Sequence, residues 1–271
     1  MRKSVFKCLF IVLFIVFIGC DKGDSLDNAA RLRVKLTDAA SLVIKELYID
    51  ISEISLFVTK GDDANGEWIT LEYSGGEYNL VKLMNGKSVQ LVDQYFPSDV
   101  RIEKMKIMFG NNNRIITNTD KPVELQKAAE ITDGMEFNVG IVELMPNVIL
   151  YLMIDINAAL SVTESNGNYF LNPSARVFQE NLGGSISGYV APIEANPSIA
   201  IVKDEEVYFT IPEPDGMFKF IGLDEGVWEI HIMPHPESLF KDTVFVDSLA
   251  AGQKKELTPK PIRLNFKTPE E

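Results

Sequence analysis

Two histidines are the residues of this chain best suited to acid–base or metal chemistry. His231 and His235 lie four residues apart in HIMPHP, a spacing that would place two metal ligands on one face of a helix. The prolines of the same segment exclude a regular helix, and the chain contains no HExxH sequence. On a strand, His231 would share the outward face of Glu229, opposite Trp228. We therefore interpret both histidines as surface residues and predict no metal site.

Nucleophilic and nucleotide chemistry have no support in the sequence. A Ser-His-Asp triad would have to take its base from the two histidines, and no GxSxG elbow surrounds any serine. GxGxxG and GxxxxGK[ST] loops are absent. The Asp+Glu total of 39 could supply a glycosidase pair, but no spacing selects one. The sequence predicts a protein that is not an enzyme and uses no cofactor.

Three residues are candidates for ligand binding: Trp68, Asp155 and Asn157. Asp155 lies in the apolar run NVILYLMIDIN, where an unpaired buried carboxylate would cost on the order of several kcal/mol. It either caps a turn or accepts backbone N–H groups, or it contacts a metal or ligand together with Asn157. Trp68 shares a strand face with Thr70, opposite Ile69, and is expected to be partly exposed. It would serve either as an edge cover or as a platform for a sugar ring.

One acidic turn suggests calcium but does not meet its requirements. Asp62-Asp63-Ala64-Asn65-Gly66-Glu67 offers several oxygen donors. It lacks the regular spacing and the distal glutamate of a calcium-binding loop. We interpret it as a hairpin turn built around Asn65-Gly66.

The N-terminus resembles a bacterial lipoprotein signal. A basic start precedes the apolar run CLFIVLFIVFIG, which is too short to span a bilayer but suits a signal peptide. Gly19 then precedes Cys20, the position at which such signals are cleaved and the cysteine is lipidated. The alternative is a plain secretory signal that ends in cysteine. We expect residues 1–19 to be removed, an acyl chain such as palmitate on Cys20 to attach the protein to the membrane, and residues 20–30 to form a polar tether.

The composition restricts the partners. Lys+Arg 26 against Asp+Glu 39 gives a net charge of −13, so the clustered cations that bind nucleic acids are not expected. Hydrophobic residues at 46% and charged residues at 24% are typical of a folded globular protein. Of the two cysteines, Cys8 would leave with the signal peptide, so the mature chain is expected to have no disulfide.

The elements that must position these residues are predicted to be strands. Leu32, Val34 and Leu36 alternate with polar residues, as in a half-buried strand. In ELYIDISEISLFVTK the apolar phase switches at Ser52-Glu53, which predicts a β-bulge or a strand that crosses between sheets. Only LVDQYF and KAAEI favour helical turns. Short strands separated by frequent turns predict an all-β protein built from β-sandwiches.

Five motifs follow one another in the first part of the chain: Thr37-Asp38-Ala39, Trp68, Leu83-Met84-Asn85-Gly86, Asp155-Ile156-Asn157-Ala158 and Tyr169-Phe170-Leu171-Asn172-Pro173. In this order they resemble the bacterial lipoprotein family called domain of unknown function 4382, over about residues 31–180. Ala40 stands where the family has proline, and Asn157 stands where it has a second aspartate. A site that needed both carboxylates would have lost one. The resemblance implies a β-sandwich and an envelope location rather than a chemistry.

A second set of residues follows a break at Asn181-Leu182-Gly183-Gly184: Asp215, Gly216, Phe218, Phe220, Leu223, Gly226, Trp228 and Ile230. This spacing resembles the carboxypeptidase regulatory-like domain, a transthyretin-like β-sandwich. Alternation places Phe218 and Phe220 on one strand face and Trp228 and Ile230 on one face of the next strand, so the two sets would meet in one core. We expect this second sandwich to occupy residues 183–266.

Three functions are compatible with this organisation. The first is a non-enzymatic lipoprotein, anchored in the outer membrane through Cys20 and facing the periplasm or the cell surface, that binds or scaffolds an envelope protein or glycan. The second is a pilus or adhesin subunit that assembles by strand addition after cleavage behind Arg31 or Arg33, since anchored pilins of such bacteria are lipoproteins with paired transthyretin-like sandwiches. The third is an enzyme, or a glycan-binding accessory protein that assists one and uses Trp68.

Overall fold

The computed structural model describes residues 28–39, 44–61, 65–117 and 120–268. These residues form strands joined by turns and short 3-10 segments, so the all-β prediction is confirmed. The predicted signal peptide, Cys20 and the tether up to residue 27 lie outside the described residues. Within the described ranges, no helix is long and apolar enough to cross a membrane.

The strands, in chain order, are β1 (Ala30–Ala39), β2 (Glu46–Lys60), β3 (Glu67–Thr70), β4 (Gly76–Asn79), β5 (Val89–Phe96), β6 (Val100–Phe109), β7 (Arg114–Ile116), β8 (Pro122–Lys127), β9 (Met135–Glu143), β10 (Ile149–Asn157), β11 (Val162–Ser165), β12 (Asn168–Leu171), β13 (Ser174–Gln179), β14 (Gly184–Ala191), β15 (Ser198–Lys203), β16 (Glu206–Thr210), β17 (Met217–Leu223), β18 (Gly226–Met233), β19 (Thr243–Leu249), β20 (Lys254–Glu256) and β21 (Ile262–Arg263). The 3-10 segments are Leu80–Leu83, Ala129–Ile131, Ala158–Leu160 and Ile193–Ala195.

The first sandwich consists of two sheets that enclose one apolar core. One sheet has the order β13-β10-β1-β5, and the other has the order β11-β12-β8-β7-β2-β6-β9, with β3 and β4 also paired to β2. β1 runs parallel to β10 and antiparallel to β5. Its alternating residues Leu32, Val34 and Leu36 are fully buried in this core, as the period of two predicted.

The phase switch in β2 is a β-bulge. The pairing of β2 with β6 shifts register between Ile51 and Glu53. Ile51 before the shift and Ile54 after it are both fully buried, because the extra residue returns the apolar side chains to the core face. The helical-turn prediction is correct for Ala129–Ile131 and wrong for LVDQYF, which belongs to strand β5 at the edge of the first sheet.

The second sandwich has its own core. One sheet contains β17-β14-β20, with β21 also paired to β14, and the other has the order β16-β15-β18-β19. Trp228 and Phe218 are fully buried between them, and Phe220 and Ile230 join the same cluster. The Trp228 indole N–H donates to the Asp224 carbonyl at 3.0 Å, so its polar atom is paired although the ring is buried.

Strand β10 is buried on both faces where it passes under the second sandwich. Leu152, Ile154 and Ile156 point into the first core. On the opposite face, Met153 is 1% exposed and Asp155 is 7% exposed. An internal strand of a two-layer sandwich would normally expose this face. Its burial at Asp155 therefore marks where the two sandwiches meet.

Candidate functional site

Asp155 is paired with a guanidinium group on the neighbouring strand. Asp155 and Arg176 are opposite each other in the β10–β13 ladder. Arg176 Nε donates to Asp155 Oδ2 at 2.9 Å, and its Nη2 lies 2.8 Å from the same oxygen as part of the ion pair. Burial raises the pKa of the Asp155 carboxyl, and the charge of Arg176 and its hydrogen bond oppose that rise. The buried carboxylate is thus stabilised by an ion pair, which neither sequence interpretation anticipated.

Arg176 also connects the first sandwich to the second. Its Nη1 donates to the Gly222 carbonyl at 2.7 Å and its Nη2 donates to the Ile221 carbonyl at 3.0 Å. The guanidinium carbon lies 4.3 Å from the centre of the Tyr208 ring, within cation–π range. All three guanidinium nitrogens of Arg176 are therefore engaged by Asp155 or by the backbone of strand β17.

A close approach of backbone to side chain makes this contact possible. Gly222 has a φ of +66°, and a Cβ at this position would lie 2.3 Å from the Phe178 ring of the first sandwich. A side chain there would separate the two sandwiches and remove the Gly222 carbonyl from Arg176. Gly222 is thus required both for its backbone conformation and for space.

Asn85 forms a second polar connection between the sandwiches. It is 6% exposed and adopts a left-handed conformation with a φ of 59°. Its Nδ2 donates to the Ile211 carbonyl at 2.9 Å and to Glu213 Oε1 at 3.1 Å, while its Oδ1 accepts from Thr210 Oγ1 at 2.8 Å and from the Lys219 N–H at 3.2 Å. The amide uses its two donors and both acceptor positions on the second sandwich.

The residues after Asn85 extend this contact. A Cβ on Gly86, whose φ is +74°, would lie 3.2 Å from side-chain atoms of Ile221 and Lys219. Lys87 Nζ lies 2.6 Å from Glu213 Oε1. The pKa of Glu213 is lowered, mainly by its hydrogen bond with Lys87 and then by its bond with Asn85. The whole Asn-Gly turn is therefore packed against the second sandwich.

Asp38 is a buried carboxyl group beside this junction. Its Oδ1 accepts from the Ala158 N–H at 3.0 Å, and its Oδ2 has no hydrogen-bond partner within the described chain. Burial raises the pKa of Asp38 well above its usual value, the Ala158 bond lowers it, and the negative charge of Asp155 raises it further. A void of about 20 Å³ adjoins Asp38, Asp155, Arg176 and Lys219. That volume is sufficient for one water molecule.

A groove at the same junction contains two of the candidate residues. It has a volume of about 200 Å³, and its polar lining is formed by Asp155, Asn157, Ser174, Arg176, Glu206 and Tyr208. Asn157 Oδ1 accepts from the Leu160 N–H at 3.3 Å and so caps the short 3-10 segment that follows β10. Asp155 and Asn157 thus lie in one groove, but each also has a structural role.

Trp68 lies in the other sheet of the first sandwich. It is on β3, which pairs with β2, whereas Asp155 and Asn157 are on β10. Its side chain is 40% exposed, as strand alternation suggested. The ring makes an edge contact with Phe57 at 5.5 Å between centroids, and Lys106 Nζ lies 5.8 Å from its centre. The structure does not place Trp68 in the groove that contains Asp155 and Asn157.

The two histidines have separate environments. His231 Nε2 lies 2.5 Å from Glu229 Oε1, on the strand face opposite Trp228. His235 borders a cleft of about 880 Å³ in the second sandwich, together with Met233, Phe240 and Lys267. Across the described ranges, no group of three or more His, Cys, Asp or Glu side chains is arranged to hold a metal ion.

Arg176 and Thr210 were missed by sequence reasoning, whereas Asp38 and Asn85 appeared only as parts of motifs. Arg176 belongs to SARVFQ, where alternation places it on the same strand face as Phe178. A sequence signal for Arg176 does exist. This residue shares a strand face with an aromatic residue, and a strand with a buried aspartate precedes it in the chain. The Asn85 to Thr210 contact joins residues 125 positions apart and has no local signal.

Comparison with known proteins gives one family and several distant structures. No curated protein matches the chain. The TIE protein of Bacillus anthracis matches with 8% identity and a TM-score of 0.25, covering 88% of this chain, which spans 34% of that protein. The major pilin subunit BcpA of Bacillus cereus matches with 10% identity and a TM-score of 0.25, covering 88% of this chain and 71% of BcpA. The shaft pilin SpaA of Lactobacillus rhamnosus GG matches with 8% identity and a TM-score of 0.24, covering 89% of this chain and 98% of SpaA.

The family model extends over more than half of the chain. It matches residues 29–173, a range that contains β1 to β12 and therefore most of the first sandwich. It includes Asp38, Asn85 and Asp155, and it ends just before Arg176. The chain therefore belongs to the family described as Domain of unknown function (DUF4382).

Proposed function

We propose that this protein is a non-catalytic module of the bacterial cell envelope. Its two sandwiches would form one rigid body that binds or scaffolds an envelope partner, held to the outer membrane by a lipid on Cys20. The observation that carries this proposal is the polar network across the junction, formed by Arg176 and Asn85.

The hydrogen-bonding capacity of this network is directed at the protein itself. Arg176 binds Asp155 and two backbone carbonyls, and Asn85 uses its whole amide on the second sandwich. Groups that bind a transition state need free donors or acceptors aimed at the substrate. Buried and satisfied polar groups instead specify one orientation of the packed elements. This arrangement favours a scaffold whose domain geometry is fixed.

The lipid anchor is tested by replacing the two cysteines separately. The full chain with Cys20→Ala, expressed in a bacterium that processes lipoproteins, is expected to lose its detergent-extractable membrane fraction. Cys8→Ala is the matched control, because Cys8 lies in the apolar run that the signal peptidase would remove. A Cys20→Ala protein that is still released from membranes only by detergent would refute the anchor.

The location of the anchored body is tested on intact cells. Protease treatment of whole cells would digest a protein that faces the cell surface and spare one that faces the periplasm. Digestion would favour adhesion or glycan capture, and protection would favour periplasmic scaffolding. Material found entirely in the cytoplasmic fraction would contradict the envelope proposal as a whole.

Assembly by strand addition is the second candidate, and the position of β1 bears on it. β1 lies between β10 and β5 and contributes Leu32, Val34 and Leu36 to the core, which is the kind of position that a donated strand could fill. Cleavage behind Arg31 or Arg33 would leave most of β1 in the sheet, and both side chains are paired with Asp93. We expect trypsin-treated protein to show no ladder of large assemblies on native gels. Such a ladder would favour the pilus function.

Glycan binding is the third candidate and rests on Trp68. The ring is 40% exposed, but Lys106 and Phe57 already contact it. Affinity electrophoresis of the protein in gels that contain polysaccharides tests this function, with Trp68→Ala as the variant. Retardation of the wild-type protein that disappears in Trp68→Ala would establish the glycan site, and equal mobility of both would remove Trp68 from it.

A further inference from the structure

An exposed apolar patch lies at one edge of the second sandwich. Val244 and Val246 of β19 are 54% and 63% exposed, and Val227 of the neighbouring strand β18 is 63% exposed. Val246 is opposite Glu229, so Val227 is its diagonal neighbour on the same sheet face. β19 is the last strand of the order β16-β15-β18-β19, and in the described chain it pairs with β18 alone.

Between Val244 and Val246, β19 lacks the usual protection of an edge strand. Natural sheets protect such edges with charged side chains, proline or a bulge. The sequence TVFVDSL contains no Lys, Arg or Pro, and its pairing with β18 is regular along the strand. Asp247 is paired with Lys255, and Glu229 Oε1 lies 2.5 Å from His231 Nε2. The outer face of β19 itself therefore presents Val244 and Val246 with no charged side chain of that strand between them.

Backbone hydrogen bonds identify the groups that are available. The Ser248 N–H is bound by the Asp247 carboxylate at 2.8 Å, and the Ser248 carbonyl accepts from Lys255 Nζ at 2.7 Å. The backbone of Ser248 therefore points away from β18, and residues two and four positions earlier share its direction. These are Val246 and Val244. Their N–H and C=O groups are directed outward, while the end of the edge at Ser248 is occupied.

We propose that this edge is a self-association site at which β19 of one copy pairs antiparallel with β19 of a second copy, about a two-fold axis at Phe245. Val244 then lies opposite Val246 of the second copy, and each such pair exchanges two hydrogen bonds. Thr243 lies opposite Asp247 of the second copy, so no like charges are opposed. The two β16-β15-β18-β19 sheets become one continuous sheet across the dimer.

The self-complementarity of this register favours a second copy of the chain over an unrelated strand. A two-fold axis at Val246 instead would place Val244 opposite Ser248, whose backbone groups are already bound. It would also place Phe245 opposite Asp247. Of these two axes, only the one at Phe245 places a valine opposite a valine and lets the outward N–H and C=O groups of both residues pair with each other. A two-fold contact of this kind closes on itself and gives a dimer rather than a filament.

Lysine substitutions at two equally exposed valines test the site. The detergent-solubilised full-length protein is expected to be a dimer by size-exclusion chromatography with light scattering, and Val246→Lys is expected to be a monomer. Val227→Lys is the matched control, because Val227 is also 63% exposed but lies on β18, one strand in from the edge. A wild-type monomer at all concentrations, or a dimer that survives Val246→Lys, would overturn the proposal.

Disulfide trapping tests the register. The Cα atoms of a hydrogen-bonded antiparallel pair are about 5.5 Å apart, within the range of about 4.4–6.8 Å that a disulfide bridges. The Val244→Cys and Val246→Cys double variant is expected to form a covalent dimer on mild oxidation, with the wild-type chain as the reference for any reaction of Cys20. Val227→Cys is expected to stay uncrosslinked. A covalent dimer from Val227→Cys alone, or a ladder of larger species from the double variant, would contradict the two-fold register.

Discussion

At the scale of single residues, Asp38 has the least ordinary environment. It is 6% exposed, its Oδ2 has no partner in the described chain, and the carboxylate of Asp155 is nearby. An ionised Asp38 would add a second negative charge beside Asp155, and Arg176 already binds Asp155 rather than Asp38. The protein therefore holds Asp38 as a neutral acid over a pH range in which an exposed aspartate is ionised.

The first prediction concerns Asp38→Asn and pH. The pKa of Asp38 is raised above the value of about 3.9 in the unfolded chain. The folded state then binds more protons, so this contribution to stability is complete below about pH 4 and is lost as pH rises through the raised pKa. Asparagine mimics the protonated acid. We expect Asp38→Asn to raise the melting temperature at pH 7 and to flatten its decline between pH 4 and pH 7.

Asp93→Asn is the control for that measurement. Arg31 lowers the pKa of Asp93, mainly through its hydrogen bond, so Asp93 contributes stability that is lost as pH falls. That loss occurs only below about pH 4, the region of the unfolded pKa, so Asp93→Asn should lower the melting temperature at pH 7 and leave its decline between pH 4 and pH 7 unchanged. Thermal denaturation followed by circular dichroism at several pH values measures both. An Asp38→Asn protein that is less stable than wild type at pH 7 would contradict a neutral Asp38.

The second prediction concerns Arg176. Arg176→Ala leaves Asp155 as an unpaired buried charge and frees two carbonyls, and breaking such a pair typically costs about 3–5 kcal/mol of unfolding free energy. Arg176→Lys keeps a charge beside Asp155 but cannot reach both carbonyls, so an intermediate loss is expected. Chemical denaturation measures the two values. Equal stability of Arg176→Ala and wild type would show that the ion pair contributes nothing.

At the scale of elements, a single turn of the first sandwich makes much of the contact with the second. Asn85 and Gly86 both have positive φ values, 59° and 74°, which the sequence Asn-Gly favours. In most turns this choice serves the turn alone. Here the left-handed conformation also directs the Asn85 side chain towards Thr210 and the Lys219 N–H. The turn therefore acts as a connector between domains.

The third prediction separates the two roles of this turn. Asn85→Ala loses four hydrogen bonds across the junction and leaves Thr210 buried without its partner, and we expect it to cost about 1–3 kcal/mol. Asn166→Ala is the control, because Asn166 has a similar φ of 53° in an exposed turn. The difference between the two variants in urea denaturation measures the contacts with the second sandwich. Equal losses would mean that only turn conformation matters.

At the scale of the whole molecule, two cores are coupled through a small polar junction. The apolar clusters of the two sandwiches share no residues. Coupling therefore depends on Arg176, the Asn85 turn and the packing of Phe178 on Gly222. A junction this polar is expected to hold the domains in one orientation while contributing less stability than either core.

The fourth prediction concerns cooperativity. We expect calorimetry of the wild-type protein to show one unfolding transition, because loss of either sandwich breaks the shared network. The double variant Asn85→Ala with Arg176→Ala is expected to show two transitions, one for each core. Two separate transitions in the wild-type protein would show that the junction does not couple the domains.

Local patterns anticipated the elements better than their contacts. The alternation of apolar residues in ELYIDISEISLFVTK predicted the position of the bulge within one residue. When the apolar residues change from odd to even positions, only an extra residue keeps them on the buried face of the strand. The prediction of a helical turn at LVDQYF was wrong, because β1 supplies hydrogen bonds that make this segment a strand. At the site, burial of Asp155 followed from its apolar neighbours. Its partner did not, since Arg176 reaches it through the β10–β13 ladder.

The sequence by itself determined the all-β class, the alternating core positions, the bulge in β2 and the turns, because each follows from side-chain period and backbone preference over a few residues. The tertiary structure alone decided which sheet face is covered by the second sandwich and which edge stays open. It thereby made Asp38 a buried acid, Arg176 and Asn85 interdomain contacts, and β19 a free edge. These outcomes depend on groups that lie far apart in the chain and meet only after both cores have formed, so no local pattern specifies them.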